Sequence, residues 1–472
     1  MTKEELLTRL NDIEWDDFEI KEASGGLPKS MWETVSAFSN TAGGWIILGV
    51  KEKKTDNGSE YILNGVTNPE QMEQDIVTTL RSRTKFNAPI SCKVLRYKID
   101  DADVLAFEIP LSPHRPVAIK NSGDVYVRTG SGDTLATDLE IDAIVRDASF
   151  GAKSEMEVPG TTFDDINPDS IASYRSFLRD FNRPLSFPTL GDEEFCRKLN
   201  IVLSSDKLSY GSLLMFGKRE SVLDALPNFW IDYMEVPGNS YATASQRYTY
   251  RMPEQENIWE SFLLIMHRLR NFVDAPYIEG PDIFGAEDNS QLFCLREGLV
   301  NFCAHSDYFA SAHPTIRVFN DKIIMQNPGR FILAADEFRS RILSMPRNPS
   351  IIRLFRHPKL SENAGYGIDK ILGWKKLTGK TVMFDSDMLI STVTYPLATT
   401  KNSRNVGENG ENNDENKVLD ILRKNPSITQ PLIATHTGFS TRKVNRLISS
   451  LRAKERIVRI GKTKGGHWEI ND

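Results

Sequence analysis

The sequence has 472 residues, of which 40% are hydrophobic and 26% are charged, the balance of a folded protein long enough for several domains. Its formal net charge of −6 excludes a chain that is basic throughout, so a surface that binds nucleic acid has to be local. The four cysteines lack CxxC spacing, which argues against a zinc site or a disulfide framework. The charged N-terminal segment has no signal-peptide core and no run of about 18 apolar residues predicts a membrane span, so we expect a cytoplasmic protein.

Helix and strand patterns alternate through residues 1–150 and predict an α+β domain. The predicted helices are residues 4–13, 29–40, 69–83 and 139–148, and the predicted strands are residues 45–50, 61–66, 92–99 and 104–109. Residues 115–131 predict two short strands around an Asn-Ser-Gly-Asp turn. Between the second helix and the first strand, we expect Gly43 to cap the helix in the left-handed conformation and Gly44 to avoid a side-chain clash.

The middle of the chain mixes helices and strands less regularly. We assign residues 151–290 to a connecting α/β region and residues 291–398 to a further domain. In residues 151–290 the predicted helices are 174–181 and 193–200, and the predicted strands are 212–216 and 228–235. In residues 291–398 the predicted strands are 315–319 and 322–327. Residues 399–416 contain one aliphatic residue among many Asn, Gly and Glu, which predicts a flexible linker.

The charge reverses in residues 417–472, where twelve basic and four acidic residues give +8 and leave −14 for the rest of the chain. Helices at 418–424, 430–437 and 441–453, followed by strands at 457–460 and 467–470, predict a winged helix-turn-helix. The basic residues that we expect to contact nucleic acid lie on the third helix and in the wing; they are Arg442, Lys443, Arg446, Lys462 and Lys464. A solvated basic surface or a protein-docking winged helix remain open alternatives.

Residues 291–368 contain a pattern suited to a nucleotide. Glu297 and Asn301 lie one helical turn apart, where the Asn can hold Mg²⁺ near phosphates and the Glu can orient an attacking water. Glycine-bearing turns follow, and a glycine turn before a helix can cradle phosphate; the residues we select there are Asn327, Gly329, Gly365 and Gly367. No GxxxxGK[ST] motif is present, which excludes a P-loop.

On the basis of these motif residues, the segment 291–378 resembles the divergent GHKL-type ATP-binding domain of regulators often labelled RecG-like. The residues that match the family pattern are Arg296, Glu297, Asn301, His305, Asp307, Tyr308, Asn327, Pro328, Gly329, Arg347, Asn348, Pro349, Glu362, Gly365, Gly367 and Ile368. The resemblance implies a Bergerat-like α/β sandwich that binds ATP and Mg²⁺, with Glu297 as the catalytic residue of a weak ATPase. Gly298 stands where the family has Ala and Ser306 where it has Arg, which makes ATP binding more secure than ATP turnover. The helicase motor itself is missing.

Residues 14–150 resemble the AlbA_2 domain, also called the Schlafen core. The matching residues are Glu14, Glu19, Lys21, Ala37, Phe38, Asn40, Thr41, Gly43, Gly44, Gly49, Val50, Arg115, Pro116, Tyr126, Val127, Arg128, Gly130 and Ser131. In Schlafens, three carboxylates of this domain form a metal-dependent RNA-cleaving site. The resemblance implies that Glu14, Glu19 and Glu52 bind Mg²⁺ or Mn²⁺, and that Lys21 and Arg128 hold phosphates. The alternative is that these glutamates are solvated surface acids on the domain of a DNA-binding regulator. Glu52 also departs from the family pattern, which has Asp at this position.

These patterns together predict a multidomain α+β protein with an AlbA_2-like domain, a GHKL-type domain and a winged helix. The function we expect is an ATP-binding, nucleic-acid-binding transcriptional regulator, in which ATP sets the placement of the two ends that contact nucleic acid. The alternative is a metal-dependent endonuclease gated by ATP, in stress or anti-phage defence, and a third is an interaction protein with a dead ATP site. The choice between DNA and RNA stays open, and a homodimer is compatible with the sequence.

Overall fold

The structure is a computed structural model, and its residues group into two compact units, Met1–Leu397 and Ala398–Asp472. In the first unit it describes residues 1–10, 17–23, 25–55, 58–130, 132–273, 290–331, 346–361 and 367–397. In the second it describes residues 418–419, 421–423, 425–426, 428, 433, 441–453, 456–460 and 467–470. The linker predicted at 399–416 lies outside the described residues. No described helix is long and apolar enough to cross a membrane.

The first part of the chain builds a four-stranded sheet with helices and two separate hairpins. Its elements are α1 (Lys3–Leu10), β1 (Phe18–Lys21), α2 (Met31–Asn40), β2 (Gly44–Leu48), β3 (Val50–Thr55), β4 (Gly58–Leu63), α3 (Pro69–Arg81), β5 (Lys93–Ile99), β6 (Ala102–Ile109), β7 (Tyr126–Thr129), β8 (Gly132–Leu135) and α4 (Asp138–Ala148). The sheet order is β1-β2-β6-β5, with β1 parallel to β2 and the other pairs antiparallel. The strands β3–β4 and β7–β8 form the hairpins.

The connection from α2 to β2 agrees with the predicted roles of its glycines. Gly43 has φ +81° and its N–H donates to the Phe38 carbonyl at 2.9 Å, which closes the helix end. A Cβ on Gly44 would lie 2.7 Å from the Phe38 ring and 2.8 Å from the Asp17 carbonyl, so only glycine fits there. The buried Asn40 side chain accepts from the Val117 N–H at 2.8 Å and donates to the Val117 carbonyl at 3.0 Å. The same amide donates to the Tyr126 carbonyl at 3.0 Å, so Asn40 holds both Val117 and Tyr126 against the helix end.

The second part of the first unit surrounds a six-stranded sheet in the order β10-β9-β11-β12-β14-β13. Its helices are α5 (Pro168–Phe181), α6 (Asp192–Lys198), α7 (Tyr210–Phe216), α8 (Arg219–Ala225), α9 (Ile258–Leu269), α10 (Gln291–His305), α11 (Pro349–Arg356), α12 (Gly367–Leu372) and α13 (Trp374–Thr378). Its strands are β9 (Asp232–Glu235), β10 (Tyr250–Arg251), β11 (Thr315–Val318), β12 (Lys322–Pro328), β13 (Met383–Ser386) and β14 (Ile390–Pro396). The fully buried Trp259 lies in the core of this part, with the ring of Tyr174 at 5.1 Å and that of Phe262 at 6.0 Å.

The prediction of a strand at 212–216 is wrong, because these residues belong to α7. The Ser209 hydroxyl accepts from the Ser212 N–H at 3.1 Å and caps this helix. Residues 211–216 are all buried, and a helix that is buried on every side shows no apolar face that would distinguish it from a buried strand. The strand predicted at 228–235 is shorter, and it forms only as β9.

The second unit contains the third helix and the two strands of the predicted winged helix. Helix α14 (Thr441–Ala453) is followed by β15 (Ile457–Ile460), which pairs antiparallel with β16 (His467–Ile470). Helical residues also occur at 418–419, 421–423 and 433, whereas most of the predicted second helix lies outside the described residues. The apolar side of α14 packs into a small core, which contains Val444, Leu447, Ile448, Leu451, Ile457 and Trp468.

Candidate nucleotide and nucleic-acid sites

Three of the residues predicted to bind ATP lie together on α10 and α12. The Asn301 amide donates to the Glu297 carbonyl at 2.8 Å and to its Oε1 at 3.4 Å, as the one-turn spacing predicts. The Ser361 hydroxyl donates to the same Oε1 at 3.3 Å, and Glu297 is 2% exposed. A Cβ on Gly367 would lie 2.7 Å from that oxygen, so the start of α12 contacts Glu297 only because residue 367 is glycine. Gly365 lies outside the described residues.

The departure of Gly298 from the family pattern has a structural reason. A Cβ at this position would lie 2.0 Å from the hydroxyl oxygen of Tyr395, which is fully buried on β14. The Tyr395 ring in turn packs edge-on against Trp374 at 5.4 Å. The tyrosine therefore occupies the space of the alanine methyl group that is usual in the family.

Asn327 and Gly329, the other two residues predicted at the ATP site, contact different neighbours. The Asn327 amide donates to the Phe302 carbonyl at 2.9 Å. Gly329 has φ +90°, and a Cβ there would lie 2.8 Å from Nη2 of Arg347. Gly329 thus borders a group of arginines that the sequence analysis did not assign to a site.

This group, which we call the arginine cluster, consists of Asp147, Arg115, Arg330 and Arg347. Nε of Arg330 donates to Oδ2 of Asp147 at 2.9 Å, and Nη1 of Arg347 donates to Oδ1 at 2.7 Å. Nη2 of Arg115 donates to the Asp147 carbonyl at 3.0 Å. Burial raises the pKa of Asp147, but the two arginines Arg347 and Arg330 outweigh burial and hold this pKa below its ordinary value.

The arginine cluster joins the first 150 residues to the part with the nucleotide pattern. Arg330 also donates to the Thr41 carbonyl, in the turn between α2 and β2. Two of the arginines were visible in sequence only as family-motif residues without a role: Arg115 opens the Arg-Pro pair before residue 117, and Arg347 opens the Arg-Asn-Pro run before α11. Arg330, which follows Gly329, gave no signal of its own.

The carboxylate of Glu19 on β1 belongs to a second group, the Glu19 cluster, with Lys21, Arg128 and Asp133. Nζ of Lys21 lies 2.7 Å from Oε1 of Glu19, and Nη1 of Arg128 lies 2.9 Å from Oε2. The same Nη1 lies 3.0 Å from Oδ1 of Asp133, whose other oxygen accepts from the Thr34 hydroxyl at 2.5 Å. The structure therefore brings three predicted residues, Glu19, Lys21 and Arg128, into direct contact.

The predicted metal triad is only partly described. Glu52 lies exposed on β3 opposite Tyr61, and Glu14 lies outside the described residues. Among the residues that the structure describes, no group of three His, Cys, Asp or Glu side chains could hold a metal ion. The triad of Glu14, Glu19 and Glu52 therefore stays a prediction.

The surroundings of Arg128 differ from those expected of a phosphate contact. Its side chain is 4% exposed and faces the Glu19 and Asp133 carboxylates, while its Nη2 also donates to the Phe18 carbonyl at 3.3 Å. A phosphate would have to displace these carboxylates to reach the guanidinium group. The side chains of Arg442, Lys443 and Arg446 on α14, and residues Lys462 and Lys464, lie outside the described residues, so their contacts with nucleic acid stay predictions.

Comparison with protein families identifies four segments of the chain. The model described as "Schlafen, AlbA_2" matches residues 14–137, and that of a winged helix-turn-helix DNA-binding family matches residues 415–458. A domain family described as "Putative ATP-dependent DNA helicase recG C-terminal" matches residues 311–384, a range that begins after α10. A domain of unknown function, DUF8451, matches residues 142–232. No curated protein matches the chain.

Two solved structures are similar over different lengths. The DIP2311 protein from Corynebacterium diphtheriae has 17% identity and a TM-score of 0.42, over 97% of this chain and 92% of that chain. The N-terminal domain of the "Putative ATP-dependent DNA Helicase RecG-related Protein" from Nitrosomonas europaea has 28% identity and a TM-score of 0.24, over 28% of this chain and 92% of that chain. The family matches confirm the predicted architecture: the chain combines a Schlafen AlbA_2 domain, a domain of the RecG C-terminal HATPase_c_4 family and a C-terminal winged helix-turn-helix domain.

Proposed function

We propose that the chain is a DNA-binding regulator whose affinity for DNA responds to ATP. The observation that supports DNA binding is the match of residues 415–458 to a winged helix DNA-binding family, together with the described α14, β15 and β16. In this fold a helix enters the major groove, and its first residues contact base edges and phosphates. The charge of +8 over residues 417–472 supplies the attraction to a polyanion.

ATP binding is supported by the contacts of Glu297, Asn301 and Gly367. Nδ2 of Asn301 donates to the Glu297 carbonyl, so Oδ1 of Asn301 is the atom of this side chain that can ligate Mg²⁺. Because Gly367 has no side chain, the start of α12 lies directly against Oε1 of Glu297, which keeps the three residues together. Bound ATP would supply negative charge and Mg²⁺ between α10 and α12, and the residues of this chain would hold it there. The proposal requires ATP binding and does not require ATP hydrolysis.

The test of ATP coupling is the affinity of the full chain for duplex DNA, with and without ATP and Mg²⁺ at fixed salt. We expect ATP to change the affinity of the wild type, and we expect Asn301→Ala to remove that change. Asn239→Ala, an exposed asparagine in a loop of the same unit, is the matched control and should respond like the wild type. Equal affinity with and without ATP in the wild type would refute the coupling.

The test of the DNA surface compares two arginines of α14. Arg442→Ala lies in the first turn of the helix, and we expect it to weaken DNA binding and to lower the salt slope by about one. Arg452→Ala removes the same charge from the exposed last turn and should have a smaller effect. Equal effects of the two substitutions would indicate a diffuse basic surface instead of a recognition helix.

The endonuclease alternative has its own test on the same protein. Labelled tRNA, single-stranded DNA and duplex DNA are incubated with Mn²⁺ or Mg²⁺, with and without ATP. Cleavage that disappears in Glu14→Gln/Glu19→Gln would replace the regulator with a metal-dependent nuclease. DNA binding without cleavage in every condition leaves the regulator as the function.

A further inference from the structure

The arginine cluster contains more positive charge than its own residues balance. Among the described residues, Asp147 is the carboxylate that pairs with these guanidinium groups. Three arginines surround it. The side chains of Arg330 and Arg347 are each 6% exposed, and that of Asp147 is 3% exposed. One negative and three positive charges leave an excess of +2 in a largely buried place, where charges are normally paired.

The neighbouring titratable groups that the structure describes do not offset this excess. Arg146 and Asp307 pair with each other at 2.7 Å and cancel. Burial and the charge of Arg347 lower the pKa of His305 from 6.5 to about 4, so this imidazole is neutral at pH 7. Burial and the charge of Arg330 likewise lower the pKa of Arg115 to about 10, which still leaves it protonated at neutral pH.

The same arginines have hydrogen-bond donors without acceptors. In the described structure, buried nitrogen atoms without a partner are Nε and Nη1 of Arg115, Nη2 of Arg330 and Nε of Arg347. A buried donor without an acceptor costs about 1–3 kcal/mol, and more when the group is charged. Each of the three arginines therefore has at least one buried donor without an acceptor, while another of its nitrogens donates to Asp147.

We propose that Arg115, Arg330 and Arg347 bind a phosphate oxyanion between the AlbA_2 domain and the ATPase-like domain. A phosphate has the charge that balances the cluster and several oxygens that accept from guanidinium groups in a fork geometry. The burial of Arg330 and Arg347 excludes the backbone of a DNA duplex, which binds to exposed surfaces. The phosphate is therefore either free or carried by a small nucleotide. Arg115, which is only partly buried, is the member nearest to solvent.

This site goes beyond the ATP response proposed above and rests on other residues. Arg330 contacts the Thr41 carbonyl of the AlbA_2 domain, and Gly329 packs directly on Arg347. A phosphate bound here would tie the turn after α2 to the end of β12 and the start of α11. Occupancy of the site would therefore stabilise the contact between the two domains.

The experiment measures thermal unfolding of the full chain in phosphate-free buffer, with added inorganic phosphate in one arm and added ATP in the other. Potassium chloride at the same ionic strength controls for screening. We expect a saturable rise in Tm, and we expect Arg115→Met to weaken the anion's apparent affinity by about tenfold or more. Because Arg115→Met also removes a repelled charge, its Tm without phosphate should equal or exceed that of the wild type.

A matched variant and the second anion make the outcomes distinct. Arg179→Met removes the same charge from an exposed position on α5 and should leave the anion response unchanged. A response to both anions that depends on Arg115 assigns free phosphate, and a response to ATP alone that depends on Arg115 assigns a nucleotide. If Arg115→Met responds to both anions like the wild type, or if neither anion raises Tm, the site is refuted. Loss of the ATP response in Asn301→Ala alone bears on the ATP proposal and not on this site.

Discussion

Two charged clusters in the first unit contain similar side chains but differ in their balance. In the Glu19 cluster, the described charges of Lys21 and Arg128 are matched by Glu19 and Asp133. In the arginine cluster, Asp147 faces three guanidinium groups. The difference indicates that the Glu19 cluster balances its own charges, whereas the described residues leave the arginine cluster with the excess of positive charge for which we propose an anion.

Thr41 contacts both of these clusters. The Thr41 carbonyl accepts from Arg330, and its hydroxyl oxygen accepts from the Arg128 N–H at 3.0 Å. Thr41 belongs to the turn whose glycines close α2 and begin β2. This turn therefore contacts both clusters, and substitutions that break one cluster while sparing the other test whether their difference in charge balance matters.

The largest effect is expected from Asp147→Asn. This substitution removes the carboxylate that pairs with the buried Arg330 and Arg347 among the described residues, and breaking such a buried pair costs about 3–5 kcal/mol. Asp133→Asn in the Glu19 cluster should cost less, because Glu19 still faces Arg128. Chemical denaturation of both variants and the wild type measures the two losses. Equal losses, or a larger loss in Asp133→Asn, would contradict the difference in balance.

A second prediction uses His305 as a reporter of the cation excess near Arg347. Its native pKa of about 4 lies below the ordinary 6.5, so the unfolded chain takes up a proton first as the pH falls. This contribution to stability is complete above pH 6.5, falls between pH 6.5 and about 4, and amounts to a loss on the order of 3 kcal/mol. His305→Gln should flatten this part of the stability profile.

Phosphate sharpens the same prediction. Burial is the larger cause of the lowered His305 pKa and the charge of Arg347 adds to it; an anion bound beside Arg347 offsets that charge, so this pKa should rise when phosphate is added. An NMR titration of the histidine resonances, assigned with His305→Gln, measures the shift in both conditions. His357, whose pKa is also lowered to about 4 by burial and by Arg353, is the internal control and should not respond. A His305 pKa that is insensitive to phosphate would count against an anion beside Arg347.

Secondary structure could be predicted from the sequence where a segment has distinct apolar and polar sides. Helix α14 and strands β15 and β16 were predicted with the bounds that the structure shows; α14 and β16 each have one apolar side and one polar side, and three of the four residues of β15 are β-branched. The segment 212–216 could not be predicted in the same way, since its residues are buried on all sides and either period fits.

The candidate sites show the same limit at longer range. Glu297 and Asn301 could be paired from sequence, because residues four apart on a helix are neighbours. The partners of Asp147 in the arginine cluster lie 32, 183 and 200 positions away along the chain, so no local spacing reveals them. Gly298 likewise departs from its family pattern because of Tyr395, a residue on a distant strand. Only the tertiary packing brings such groups together.

The smallest effect is expected from Lys21→Met. The pair of Lys21 and Glu19 is partly exposed, with side chains 16% and 19% accessible, and pairs of this kind contribute about 0–1 kcal/mol. Arg128 still faces Glu19 after the substitution, so no carboxylate is left without a cation. Denaturation at low and high salt should therefore show a loss below about 1 kcal/mol, and less at high salt. A loss as large as that of Asp147→Asn would mean that the Glu19 cluster depends on each of its charges, and the contrast between a self-sufficient cluster and one that needs an anion would fail.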